Sequence, residues 1–179
     1  EFGTPLYVLD ETTLRTSCRA YKEALQRNYS GPSLPIYASK ANSSLVISSI
    51  VASEGFGLDA VSEGELLTAL KGGMPPNKIV LHGNNKSEQE LRVAYLNKVT
   101  IVIDNQHDID CLRGIVTDDN GPARLMLRFT PGIECHTHEY IRTGHIDSKF
   151  GFDPDELERV FKELKALSWA QLDGLHAHI

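Results

Sequence analysis

A strand and a helix alternate along this chain at an interval of about twenty residues. Short apolar runs rich in strand formers begin near residues 36, 57, 79, 100, 124 and 173, and helical periodicity fills the gaps between most of them. Such alternation gives the strands parallel neighbours, because each helix carries the chain back to the end where the next strand starts. Two architectures satisfy it: a (β/α)8 barrel and an open doubly wound sheet. An open sheet built for a dinucleotide carries Gly-x-Gly-x-x-Gly just after a strand. The nearest candidate here, Gly55-Phe56-Gly57, precedes its strand and lacks the third glycine. The expected fold is therefore an α/β (β/α)8 barrel, of which six strands are present. Residues 1–35 are expected to form an N-terminal strand and helix leading into it, and residues 36–179 its first six βα units. On this reading the chain begins one step before a strand and stops inside another, at Ile179.

Local signals place the elements. Leu6-Tyr7-Val8-Leu9 reads as a short strand. Asp10 is placed to cap a helix with the apolar face Leu14, Cys18, Tyr21 and Leu25. Ser62-Glu63-Gly64-Glu65 and Ser87-Glu88-Gln89-Glu90 both have capping-box spacing, and Asn105 is placed to cap a further helix. Glycines at 55, 72 and 73 end the helices before them. Strands are expected over Lys78–His82, Thr100–Asp104, Arg124–Phe129 and Leu172–Ile179. Thr130 to Gly151 has no long period, and a loop of that length in a compact domain is usually functional or mobile. Asp153-Pro154-Asp155-Glu156 then starts a helix, with a cap, a first-turn proline and early acids.

Composition removes several function classes. A formal net charge of -6 argues against a nucleic-acid or anionic-membrane partner. No apolar run approaches the ~20 residues of a membrane span, and the amino end has neither the basic start nor the apolar stretch of a signal peptide. Cys18, Cys111 and Cys135 are widely spaced and odd in number, which suggests a reducing compartment and no disulfide framework. Cys111 falls on the apolar face of a helix and reads as a buried structural thiol. Cys135, His136 and His138 have donor atoms at metal-like spacing, but no zinc pattern accompanies them, and no metal site is expected. The absence of Gly-x-Ser-x-Gly disfavours an α/β-hydrolase.

In a barrel the residues at the carboxyl ends of the strands share one face, and the active site sits there. This chain places Lys40, Asp59, His82, Asp104, Arg128 and His178 at or just past successive strand ends. Each has a plainer reading: a capping acid, a surface base, a core histidine or a snorkelling lysine. Together they describe a polar ring around one lysine. That lysine closes the run Ile36-Tyr37-Ala38-Ser39-Lys40, at the end of a strand expected to be buried. Desolvation there would favour its neutral amine, the form that makes a Schiff base. His176 and His178 fall on one side of their strand, because side chains alternate with period two.

These stretches resemble a known family, the fold-type III pyridoxal-phosphate decarboxylases, and among them the diaminopimelate decarboxylases. The resemblance is carried by Thr4-Pro5-Leu6-Tyr7-Val8, Tyr37-Ala38-Ser39-Lys40-Ala41-Asn42, Asp59-Ala60-Val61-Ser62-Glu63-Gly64-Glu65 and His82-Gly83-Asn84-Asn85-Lys86-Ser87. It continues through Thr143-Gly144-His145-Ile146-Asp147-Ser148-Lys149-Phe150-Gly151 and Gly174-Leu175-His176-Ala177-His178-Ile179. One departure is Glu63, at a helix start, where the family often has a second small residue.

The resemblance implies an alanine-racemase-like barrel that binds pyridoxal 5'-phosphate. Lys40 would hold the cofactor as a Schiff base, and His178 would stack on its ring. Asp59 and Arg128 would form a polar pair near it. Lys149 would border the site, with His82 at the rim in no assigned role. The implied reaction is decarboxylation of meso-2,6-diaminopimelate to L-lysine and carbon dioxide, the last step of lysine biosynthesis. The implied assembly is a homodimer with shared active sites, in the cytoplasm or, for a plant, a plastid. The family continues past Ile179 with a phosphate loop, an acid facing the pyridine nitrogen and a carboxyl-terminal β domain. Residues 1–179 alone are therefore expected to be inactive. The rivals are another enzyme on this scaffold (an ornithine, arginine or carboxynorspermidine decarboxylase, or an amino-acid racemase) and a pyridoxal-phosphate-binding homologue without turnover.

Overall fold

A computed structural model describes residues 2–131 and 150–178. Six strands, β1 (Ile36–Ala38), β2 (Gly57–Ala60), β3 (Ile79–Leu81), β4 (Thr100–Ile103), β5 (Ala123–Arg128) and β6 (Ala170–His176), form one sheet in the order β1-β2-β3-β4-β5-β6. Every neighbouring pair is parallel. A doubly wound sheet reverses its strand order at a switch point. This sheet winds in one direction only, as a barrel does. Helices α1 (Glu11–Asn28), α2 (Leu45–Ser53), α3 (Glu63–Lys71), α4 (Glu88–Leu96), α5 (Gln106–Ile115) and α6 (Pro154–Ala166) complete the units. No helix among the described residues is long and apolar enough to cross a membrane.

The core lies between the sheet and the helices. Leu58, Ala60, Ile79, Leu81, Ile101, Ile103, Leu125 and Leu127 come from the strands. They form one buried cluster with Leu66, Leu91, Ile109, Leu112, Val160 and Leu164 from the helices. The strands are short, three to seven residues, and only alternate positions face this layer.

The regular repeat has a local cause. After α2, α3 and α4 the chain makes the same turn. Gly55 N–H donates to Ala52 O and Phe56 N–H to Val51 O; Gly73 to Leu70 and Met74 to Ala69; Lys98 to Tyr95 and Val99 to Ala94. These are Schellman pairs, and in each the following apolar residue, Phe56, Met74 or Val99, is buried beside its helix. The left-handed position is glycine twice, at φ +84° and +83°, but in the third turn it is Lys98 at φ +61°. A side chain there is strained, and the Lys98 amine 6.0 Å from the Tyr95 ring centroid offsets little of it. Lys98→Gly is therefore expected to stabilise the protein by up to about 1 kcal/mol, read from equilibrium denaturation. A loss of stability would contradict this reading of the turn.

Several sequence expectations need correction. Leu6–Leu9 is not a strand: no neighbouring strand pairs with it among the described residues, and Tyr7 and Val8 are exposed. The last strand spans Ala170–His176 rather than Leu172–Ile179, so His178 lies beyond its end. The Ser87 capping box is complete, whereas Ser62 makes only half of one. Glu65 turns away from the Ser62 backbone; its Oε2 accepts from Val61 N–H and lies 2.7 Å from Ser39 Oγ. Asp10 and Asn105 cap as expected. Asp153 and Pro154 begin α6, but the Asp153 side chain makes no cap hydrogen bond. The face of α1 that carries Leu14 and Cys18 is half-buried rather than buried, and Tyr21 on it is exposed.

Candidate active site

The sheet face opposite the helices is polar at its carboxyl end, and a change of phase in β6 contributes to that. Leu125 pairs with Leu172, and Arg128 pairs with His176. Three steps along β5 are thus matched by four along β6, with the irregularity between Leu125 and Met126. Leu172 packs with Leu125 on the helix side. The extra residue rotates the rest of β6, so that His176 lies on the Arg128 side. Without it, Leu175 would oppose Arg128.

A cavity of about 370 Å³ opens at these strand ends, within the range of small-molecule sites. Its walls include Lys40, His82, Lys86, Arg128, Phe150 and His178. Three of these groups are held by carboxylates. His82 Nε2 lies 2.8 Å from Asp59 Oδ2. A carboxylate only accepts, so this nitrogen carries the hydrogen. Arg128 Nη1 donates to Asp104 Oδ1 at 2.7 Å, with both groups buried. Lys86 Nζ lies 2.7 Å from Asp108 Oδ2 and 2.6 Å from Gly83 O, also buried. The last two pairs share a backbone link, because Asp104 N–H donates to Asp108 Oδ2 at 2.8 Å. Burial raises the Asp108 carboxyl pKa, and the Lys86 charge opposes that rise.

Lys40 is placed differently. It sits in a single tight turn, Ser39–Ala41, two residues past Ala38, the last contact of β1 with its neighbour. Ser39 below it is buried and lies 2.7 Å from the Asp59 carbonyl. Lys40 itself is exposed, so the expected desolvation at a buried strand end is not found. Its side chain lines the cavity. Among the described residues, no carboxylate lies within ion-pair distance of it.

Arg128 is also held from above. The Phe150 ring centroid lies 4.8 Å from its guanidinium carbon. Phe150 is fixed in turn, since Thr130 Oγ1 donates to its carbonyl. Next to it, Phe152 N–H donates to Arg128 O and Thr130 N–H to Phe152 O, each at 3.0 Å. Gly151, at φ +75°, lets this segment approach; a Cβ there would lie 3.1 Å from Arg128 Cγ.

His176 packs on His82 with ring centroids 5.4 Å apart. Burial, then the nearby His82 and Arg128, pushes its pKa from the ordinary 6.5 down to about 4. Burial, with Arg128 and Lys40, also lowers that of His178. Between pH 6.5 and 4 an unfolded His176 binds a proton that the folded one refuses. Stability is therefore expected to fall as pH drops through this window. His176→Phe should flatten that slope in thermal melts from pH 7 to 4, and an unchanged slope would contradict it.

The sequence-predicted residues Lys40, His82, Arg128 and His178 all line the cavity, and Asp59 touches it through His82. Asp59 and Arg128 are not partners of each other; each has its own, His82 and Asp104. Lys149 and the trio Cys135, His136 and His138 lie outside the described residues. Sequence reasoning missed the Lys86–Asp108 pair. The available signal was a carboxylate in step with the apolar face of α5, since Asp108, Leu112 and Ile115 follow at steps of four and three. Cys111, expected to be buried, is half-buried, with Sγ 3.4 Å from His107 Nε2.

Comparison with known proteins decides the family. Residues 11–179 match the model for the pyridoxal-binding domain of pyridoxal-dependent decarboxylases. The chain belongs to this family. Among curated proteins, the diaminopimelate decarboxylase of Synechocystis sp. is 49% identical over 187 residues, covering all of this chain and 40% of that protein. That of Bacillus subtilis is 42% identical, covering 100% of this chain and 41% of that protein. The solved diaminopimelate decarboxylase of Helicobacter pylori in complex with L-lysine superposes with a TM-score of 0.90 at 33% identity, over 99% of this chain and 45% of that one. The M. jannaschii enzyme, also with L-lysine, gives 0.88 at 30%, over 99% and 42%. The chain thus spans about 40% of the length of the curated relatives it matches.

The described residues of this pyridoxal-binding domain fit the cofactor's chemistry. An aldehyde needs an accessible amine, a flat ring needs a flat neighbour, and a phosphate dianion favours cationic walls. Lys40, His178 and Arg128 supply such groups around one cavity.

Proposed function

We propose that the protein converts meso-2,6-diaminopimelate to L-lysine and carbon dioxide, with pyridoxal 5'-phosphate carried on Lys40. One observation carries the assignment of the lysine. Lys86 and Arg128 are each bound to a buried carboxylate, whereas Lys40 faces the same cavity without one among the described residues. A lysine held in a buried ion pair keeps its proton, and only an unprotonated amine attacks a carbonyl. The substrate follows from the named relatives and from L-lysine in two of the solved structures.

Bound in this cavity, pyridoxal phosphate supplies an aldehyde that takes the amino acid and a ring that accepts electrons as the carboxylate leaves. This chain's residues orient and hold it. His178 offers a flat imidazole at the cavity wall, whose lowered pKa favours a neutral ring against the cofactor. Arg128 presents a charge that Asp104 and Phe150 keep from swinging. Asp59 is oriented by its hydrogen bond to His82. Rigid placement of this kind lowers the reorganisation needed during reaction. A homodimer with shared active sites is part of the same reading.

The test is carbon dioxide release by the full-length protein with pyridoxal phosphate. Meso-diaminopimelate is expected to react with kcat/KM at least about a hundredfold above ornithine or arginine, because a buried polar site discriminates strongly against substrates that leave it unpaired. Equal turnover of the three, or racemisation without carbon dioxide, would replace this reading.

A further inference from the structure

The carboxylates that stand behind the walls of this cavity are each held by another group. Asp59 is close to Lys40 in the fold: Ala38 and Asp59 are register partners on adjacent strands, and Lys40 follows Ala38 by two residues. Adjacent strands lie ~4.8 Å apart, so a free Asp59 carboxylate is within side-chain reach of the Lys40 amine. Yet Asp59 Oδ2 is turned to His82, just past the end of the following strand. His82 is itself backed by the His176 ring and has a buried Nδ1 with no hydrogen-bond partner, so its position rests on Asp59 and on packing.

We propose that His82 is a positioning residue that sequesters the Asp59 carboxylate and so keeps the Lys40 amine out of an ion pair, with His176 bracing the imidazole from behind. This deepens the assignment of Lys40 as the reactive amine and rests on it. The other groups around Lys40 are already committed. Glu65 is taken by Ser39 and the Val61 amide, Asp104 by Arg128, and Asp108 by Lys86. His178, His82 and Arg128 add only positive or neutral neighbours. Release of Asp59 would place a carboxylate within side-chain reach of Lys40. The depressed pKa of His176 fits the bracing role, because it favours a neutral ring packed on His82.

Direct ion pairing favours the protonated amine by about one to three pKa units, so losing His82 should slow any reaction of the free amine by tenfold or more. The experiment uses the full-length protein freed of cofactor. Lys40 acylation by acetic anhydride at pH 7.5 is followed by mass spectrometry of its peptide. His82→Leu is expected to slow acylation about tenfold, and His82→Gln, which can still donate to Asp59, to stay within about threefold of the parent. Asp59→Asn in the His82→Leu background should restore the parent rate, which a general loosening of the site would not do. Asp59→Asn alone should change the rate by no more than about threefold, because the carboxylate is already turned away. This last variant keeps His82 and tests the idea even where His82→Leu fails to fold. An unchanged rate in His82→Leu, no rescue by Asp59→Asn, or a tenfold acceleration in Asp59→Asn alone would each overturn the proposal. Acylation needs no bound cofactor, so its outcome is independent of whether Lys40 carries pyridoxal phosphate.

Discussion

Asp108→Ala is expected to cost the fold about 3–5 kcal/mol in equilibrium unfolding of the full-length protein. The carboxylate has two tasks in a buried place. It neutralises Lys86 at 2.7 Å and accepts the Asp104 backbone N–H at 2.8 Å. Removing it leaves an uncompensated ammonium beside the Gly83 carbonyl and an orphaned amide at the end of β4. Asp104 then loses the contact that orients its backbone, and Arg128 depends on Asp104. The loss should therefore reach the cavity as well as the fold. Replacing the pair together, Lys86→Met with Asp108→Leu, should recover much of the stability, because a buried ion pair contributes little net free energy beyond an apolar one. A single replacement costing less than about 1 kcal/mol would show that the pair is wetter and looser than its geometry implies.

The largest effect on activity is expected at Lys40. Lys40→Ala should lower decarboxylation of meso-diaminopimelate by at least about a thousandfold, the scale on which loss of a covalent catalytic group is felt. The same change should leave stability within about 0.5 kcal/mol, because the side chain is exposed and pairs with no acid among the described residues. Lys86→Met is the instructive contrast. It leaves Asp108 buried and unpaired, so its first effect should be on stability. Two lysines of one cavity are thus separated by what they lose: one chemistry, the other the fold. A Lys40→Ala protein within tenfold of the parent rate would remove the basis for this division.

Much of this was legible in the sequence, for a physical reason. A parallel barrel repeats one unit, and the repeat leaves a period, cap residues and terminal glycines that can be read without a structure. Strand ends in a barrel share a face, so marking the polar residue after each apolar run found Lys40, Asp59, His82, Asp104, Arg128 and His178 together. What the sequence hid were choices among partners. Asp59 had several cations to choose from, and chain order does not say that it takes His82. The phase change in β6 was hidden as well, since an extra residue in a strand leaves no composition signal. Asp108 was overlooked because it stands in an apolar face and its partner lies on another loop. Leu6–Leu9 misled in the opposite direction: a short apolar run with no neighbouring strand among the described residues makes no sheet.

The central claim is that Lys40, and no other lysine, carries the cofactor. It is tested most directly by reducing the full-length protein with borohydride in the presence of pyridoxal phosphate, then mapping the pyridoxyl group by peptide mass spectrometry. The account predicts one modified peptide, containing Lys40, with loss of the visible absorbance on reduction. Modification of Lys71, Lys86 or Lys149 in its place would contradict it.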